Sequence, residues 1–186
     1  MTKQEARAIA RERRRNLDMT ALGAAMADQL FALPAWQKAD AVFAFAAMKD
    51  EPDTTPILRR ALADGKALCL PRCLPGDGGR MELIAVHGPE ELRPGRYGIL
   101  EPAGKERAVP GPGTLALIPC LAADRLGTRL GRGAGYYDRF LAQFAATGGT
   151  RLLICPAALI FTDPLPRDPW DIPFDRGETL TENGLY

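Results

Sequence analysis

The chain has 186 residues, 46% of them hydrophobic and 25% charged, the proportions of a soluble globular protein long enough to bury a sizeable core. Lysine and arginine total 24 against 23 acids, and the formal net charge of +1 excludes bulk attraction to nucleic acid or to an acidic membrane surface. The longest apolar runs, at 39–48 and 115–123, are too short for a membrane span. The charged N-terminus has no apolar core of a secretory signal, so a cytoplasmic location is expected.

Residues 3–16, rich in Ala, Glu and Arg, predict a first helix. A second is predicted over 20–33, with Leu22, Met26, Leu30 and Leu33 on one stripe and Pro34 as its stop. The apolar run 39–48 predicts a buried strand. Residues 53–65 predict a helix, with an N-cap candidate, a proline in the first turn and Gly65 at the close. A strand at 66–72 then completes a strand–helix–strand unit of the kind that builds parallel sheets.

Residues 80–86 alternate as a further strand, and the Pro- and Gly-rich stretch 87–113 predicts irregular connection. A buried strand follows at 114–122, then a helix at 136–146 and a strand at 150–157. The turn-rich tail offers a short strand at 178–180. These elements predict an α/β fold in a single domain spanning 1–186, with helices on both faces of a mostly parallel sheet.

The four cysteines lie in strand-like stretches. Cys69 and Cys73 have the spacing of half a metal site, but no second pair or nearby histidine completes it, so buried free thiols are expected. The only histidine, His87, sits in a turn-like sequence, which argues against a histidine-based triad.

The most unusual stretch is "GTRLGRGAGYYDRFL", Gly127–Leu141. Gly131, Gly133 and Gly135 let backbone pass close to a bulky anion and turn its N–H groups inward. A helix starting at Tyr136 adds the positive end of its dipole, and Arg129 and Arg132 add guanidinium forks. Together these describe a polyphosphate site, although neither the Walker nor the dinucleotide spacing is present. The plain alternative is a flexible turn with solvated arginines.

Asp138, in the first turn of that helix, either balances the dipole or holds Mg²⁺. Lys3, Arg7 and Arg11 share a helix face, either as a solvated stripe or as a cationic wall. Asp50, Glu51 and Asp53 follow the first strand, where a carboxylate caps a helix, grips a polar heterocycle or takes a proton. Asp171 and Asp175 stand four apart in the tail and are weak alone as a metal site.

The signature loop, read with "KQEAR" at Lys3–Arg7, "KDEPDT" at Lys49–Thr54, "GILEP" at Gly98–Pro102, "WDIPFD" at Trp170–Asp175 and "TEN" at Thr181–Asn183, resembles the 5-formyltetrahydrofolate cyclo-ligase family over almost the whole chain. The resemblance implies a three-layer, Rossmann-like fold. It also implies conversion of 5-formyltetrahydrofolate to 5,10-methenyltetrahydrofolate, with ATP turned into ADP and phosphate and Mg²⁺ as the metal.

By position, the resemblance assigns ATP to Lys3, Gln4, Glu5, Ala6 and Arg7, and to Arg129, Leu130, Gly131, Arg132, Gly133, Ala134, Gly135, Tyr136 and Tyr137. It assigns the folate to Ala46, Glu51, Arg132, Gly133, Ala134, Gly135 and Tyr136, and Mg²⁺ to Asp138 and Asp171. Arg132, Glu51 and Tyr136 are the residues expected to act in catalysis. Glu51 either holds pterin N–H donors or receives a proton from N10. Tyr136 and Tyr137 flank the formyl group or the adenine, unless Tyr137 only packs against Leu141 and Phe144.

Two positions depart from the family pattern: Ala134 stands where relatives often have Lys or Gly, and Ala46 where a larger apolar residue is usual. The expected partner is the small-molecule folate, with or without a polyglutamate tail, acted on by a monomer without nucleic acid or membrane. The competing readings are a small RNA-binding protein, or a sugar-phosphate isomerase or acyl-CoA transferase on a similar scaffold.

Overall fold

In the computed structural model, which describes residues 1–74, 76, 79–95 and 98–186, five α-helices surround a seven-stranded sheet. The helices are α1 (Lys3–Arg14), α2 (Met19–Ala32), α3 (Pro34–Lys38), α4 (Thr55–Ala63) and α5 (Tyr136–Phe144). The strands are β1 (Ala41–Phe43), β2 (Ala67–Cys73), β3 (Met81–Ala85), β4 (Leu92–Pro94), β5 (Leu100–Pro102) and β6 (Thr114–Pro119), followed by β7 (Ala122–Asp124), β8 (Arg129–Leu130), β9 (Thr150–Ile154), β10 (Ile160–Phe161), β11 (Thr179–Thr181) and β12 (Gly184–Leu185).

The large sheet runs β12-β11-β9-β6-β1-β2-β3, parallel throughout its centre and antiparallel only where β12 and β3 close the edges. Its side chains alternate between two cores. Val42, Leu68, Leu70, Leu115 and Leu117 pack on α2, α3 and α4 through Met26, Leu30, Trp36 and Ile57. Phe43, Cys69, Ala116 and Ile118 pack on α1 and α5 through Ala6, Ala10, Leu141 and Phe144. A strand buried on both faces needs such continuous apolar sequence, and the result is the expected three-layer arrangement.

Helix α1 begins with a reciprocal cap. The Thr2 hydroxyl accepts the Glu5 N–H at 3.2 Å, and the Glu5 carboxylate accepts the Thr2 N–H at 2.7 Å. Its buried stripe is Ala6, Ala10 and Arg14, one position round from Lys3, Arg7 and Arg11. Arg14 is 4% exposed. Its guanidinium donates to the Leu121 carbonyl at 3.1 Å, the Cys120 carbonyl at 2.5 Å and the Asp50 carbonyl.

Several elements differ from expectation. The strand predicted over 39–48 is ladder-bonded only at Ala41–Phe43. Beyond it, the Thr54 hydroxyl donates to the Phe45 carbonyl at 2.6 Å and accepts the Ala47 N–H at 3.1 Å, drawing the backbone out of the sheet. The strand predicted over 114–122 breaks after Pro119: the Cys120 and Leu121 carbonyls turn to Arg14, and β7 joins β8 and β10 in a small second sheet.

Pro34 stops α2 but opens α3. The stretch 87–113 is not wholly irregular, because β4 and β5 pair as an antiparallel hairpin, with residues 96 and 97 outside the described residues. The tail strand is displaced by one residue, to Thr179–Thr181, and pairs with β12.

Replacing Arg14 by methionine keeps the buried stem but leaves three carbonyls without their donor. The expected cost is about 3 kcal/mol or more, measured as a lowered midpoint in urea unfolding at unchanged m-value. A variant as stable as the parent would show that these bonds contribute no net stability.

Candidate active site

The parallel sheet changes winding direction between β1 and β6: the chain proceeds outward from β1 to β2, and on the other side from β6 to β9. Ligands in such sheets bind outside the strand carboxyl ends at that point. A cavity of about 950 Å³ opens there, lined by Phe45 and Ala46 beyond β1 and by Pro119 and Cys120 at the end of β6. Residues Arg129–Arg139 form another wall, α1 a third, and Asp168, Trp170 and Asp171 part of the rim.

The signature stretch serves two purposes. Its first part is a hairpin turn, where the buried Asp124 carboxylate accepts the N–H groups of Leu126 (2.9 Å), Thr128 (2.8 Å) and Leu165 (2.7 Å). Gly127 belongs to this turn, since a Cβ there would lie 1.8 Å from the Phe174 carbonyl oxygen. The open loop is Gly131–Gly135. Arg7 Nε donates to the Gly131 carbonyl at 3.0 Å, tying the loop to α1.

Gly133 (φ +112°) and Gly135 (φ +72°) adopt backbone conformations that favour glycine. A Cβ on Gly133 would stand 3.6 Å from the Arg7 guanidinium, so that cation lies against the loop. Gly135 caps α5 without any side-chain cap, which leaves the first-turn amides directed into the loop.

Charged groups in the cavity are largely cross-paired. Among the described residues, Lys3, Arg7, Arg11, Arg129, Arg132 and Arg139 line it against Glu51, Glu101, Asp138, Asp168 and Asp171. Arg129, with its side chain 4% exposed, donates Nη2 to Asp138 at 2.7 Å, while its buried Nε finds no protein acceptor. Lys3 pairs with Asp168 at 2.7 Å and also with Asp171. Burial disfavours the Lys3 ammonium, but the two carboxylates outweigh it and hold its pKa above the ordinary value.

Arg132 joins the loop to the segment beyond β1. It donates to Asp50 at 2.6 Å and to Glu51 Oε1 at 3.1 and 3.2 Å. Burial works against both charges of the Arg132–Asp50 pair, yet their contact raises the Arg132 pKa and lowers that of Asp50. Glu51 is held from the other side by the Met48 N–H, 3.0 Å from Oε2. A guanidinium and a fixed carboxylate thus stand side by side where the cationic walls meet an apolar shelf of Phe45, Met48, Pro71, Met81, Ile99 and Leu100. Such a cavity suits a ligand with a polyanionic end and a flat or apolar end.

Of the residues predicted at the N-terminus, Lys3 and Arg7 reach the cavity, whereas Gln4 and Glu5 are exposed elsewhere and Ala6 is buried in the core. Ala46, Glu51, Arg129 through Tyr137, Asp138 and Asp171 all line it. Tyr137 also packs, its ring centroid 6.3 Å from that of Phe43, and burial raises its phenol pKa.

Sequence reasoning missed the apolar shelf, Asp168, Trp170, Arg139 and the internal role of Arg14. For Arg14, the i, i+4 spacing from Ala6 and Ala10 was an available signal. Cys69 is a buried thiol whose pKa burial pushes up to about 12. His87 lies on the surface, 3.1 Å from Glu106. No helix among the described residues is long and apolar enough to cross a membrane.

Comparison with known proteins agrees with this arrangement. Residues 2–179 match the model of the 5-formyltetrahydrofolate cyclo-ligase family. The chain is 29% identical over 175 residues to 5-formyltetrahydrofolate cyclo-ligase of Escherichia coli, covering 93% of each protein. It is 33% identical over 138 residues to the enzyme of that name from Mycolicibacterium smegmatis, covering 70% of this chain and 69% of the relative. The NMR structure of Aquifex aeolicus 5,10-methenyltetrahydrofolate synthetase superposes with a TM-score of 0.82 at 34% identity, covering 100% of this chain and 92% of that one. With the match running nearly end to end, the chain belongs to the 5-formyltetrahydrofolate cyclo-ligase family.

Proposed function

We propose that this chain cyclises 5-formyltetrahydrofolate to 5,10-methenyltetrahydrofolate, using ATP and Mg²⁺ and releasing ADP and phosphate. The observation that supports it is the junction of Arg132 and Glu51, where a glycine loop and cationic helix face meet an apolar shelf within one cavity. We place the reaction in the cytoplasm, in a monomer, with a folate that carries or lacks a polyglutamate tail. The buried thiols of Cys69, Cys120 and Cys155 suit that reducing compartment.

A formamide carbonyl is a poor electrophile because the nitrogen lone pair delocalises into it, and its oxygen has no good way to leave. ATP supplies a phosphoryl group that makes this oxygen part of a leaving group. N10 of the same folate then forms the new C–N bond, gives up its proton, and the C–O bond breaks with departure of phosphate. The work left to the protein is positioning and charge.

In this reading Arg7, the main chain of Gly131–Gly135 and the N-terminus of α5 hold the triphosphate. Arg132 turns its fork from Asp50 and Glu51 to the oxygens of the group in transfer, where charge develops. Glu51, freed on that side and still fixed by the Met48 N–H, accepts a folate N–H or the N10 proton. The shelf from Phe45 to Leu100 receives the pteridine and aryl rings.

Mg²⁺ commonly takes one or two carboxylates together with phosphate oxygens. Asp138 and Asp171 line the cavity, and no group of three or more His, Cys, Asp or Glu able to hold a metal gathers among the described residues. That donor set fits an ion shared with phosphates, which would reduce the charge the cationic walls must meet.

Purified protein mixed with MgATP and 5-formyltetrahydrofolate should form the methenyl product, seen by its near-ultraviolet absorbance, in step with ADP. No product when both substrates are present would overturn the proposal. Arg132→Ala should lower kcat a few hundredfold, about 3–4 kcal/mol of transition-state stabilisation; unaltered turnover would remove its role. Lys3→Ala should raise KM for MgATP with little change in kcat. The reverse pattern would move Lys3 to the reacting centre.

A further inference from the structure

We propose that the indole of Trp170 is the platform on which the purine base of the nucleotide stacks. The inference rests on the nucleotide reading above and adds the residue that recognises the base. Trp170 is 69% exposed, the most exposed aromatic ring among the described residues, yet it lines the cavity. An indole held out at a cavity rim offers a ligand a large, flat and rigid apolar face with a polar edge.

The ring is presented by a braced turn. The Asp171 N–H donates to the Asp168 carbonyl at 3.1 Å, and the Asp168 N–H donates to the Asp171 carboxylate at 2.8 Å. Pro169 and Trp170 therefore occupy the two central positions of a four-residue turn, with proline pre-setting the first. Lys3 bridges both flanking carboxylates from α1. On either side the segment is anchored: Leu165 is buried with its N–H on Asp124, and Ile172 and Phe174 pack into the core. A mobile tail would leave the indole free to collapse; this one holds it out.

Position selects the ligand moiety. The turn is fastened to Lys3, one helical turn from Arg7, so Trp170 belongs to the cationic wall rather than to the shelf of Phe45, Met81 and Ile99. In this proposal a nucleotide with its phosphates on the Arg7-tethered loop turns its base to that wall, within the one cavity that the loop and Trp170 both line. Stacking asks only for a flat π face and does not read the edge of the ring, so this contact prefers a purine to a pyrimidine only through the larger area that overlaps the indole.

The test uses the protein's two tryptophans. Trp36 is fully buried, so acrylamide quenching of the intact protein reports mainly Trp170. MgATP should shield the exposed tryptophan from acrylamide, whereas magnesium tripolyphosphate and 5-formyltetrahydrofolate alone should not. By calorimetry Trp170→Ala should raise the Kd for MgATP on the order of tenfold, and Trp170→Phe should restore most of the affinity. If calorimetry shows MgATP bound while Trp170 is quenched as freely as before, the platform is overturned and the nucleotide site stands. Shielding by tripolyphosphate or by folate alone also overturns it. No heat with MgATP, with or without folate, overturns both readings.

Discussion

A single buried guanidinium joins the parts of this protein that the cavity requires. Arg14 lies on the core stripe of α1 and gathers carbonyls from the end of β6 and from the loop that carries Asp50 and Glu51. Those segments come from distant parts of the sequence. An arginine suits the task because its charge is not lost on burial and its five donors are fixed in a plane. The same helix presents Lys3 and Arg7 one stripe away, so the pose of α1 against the core also sets the cationic wall.

The glycine loop owes its form to the same helix. Arg7 donates to the Gly131 carbonyl, and its guanidinium would meet a Cβ on Gly133 at an ordinary contact of 3.6 Å, so the backbone conformation of φ +112° rather than crowding favours glycine there. Gly131 is confined in another way, since a Cβ there would approach the Arg129 guanidinium to 2.9 Å. Glycines that look alike in sequence thus answer to different neighbours, and Gly127 answers both to packing against Phe174 and to its left-handed backbone, φ +80°.

The layers and most of the strands were legible because the sheet is buried on both faces, which demands long apolar runs separated by helices with clear caps. Composition misled where polar side chains reassign backbone hydrogen bonds: Thr54 ends β1 early, and Arg14 bends the chain after Pro119. The β4–β5 hairpin was hidden by its prolines, which sit at strand ends where no ladder donor is lost. In the cavity, the loop, Lys3, Arg7 and Glu51 stood out as residue types with a chemical use. The apolar shelf did not, because Phe45, Met81 and Leu100 read in sequence as ordinary apolar residues until the tertiary fold places them around one space. Asp168 was equally silent, since its pairing with Lys3 spans 165 positions.

Six cations and five carboxylates line the cavity among the described residues, so the opposing charges nearly cancel a short distance outside it. A passing anion then feels little long-range pull, and its encounter rate should approach that of an uncharged solute and vary little with ionic strength. Selectivity is deferred to the moment of contact, when Lys3, Arg129 and Arg132 trade a carboxylate for an arriving oxygen. A small anion that reaches only one of those cations at a time gains little from that trade, which gives the pocket a means to stay open in a solution crowded with inorganic phosphate.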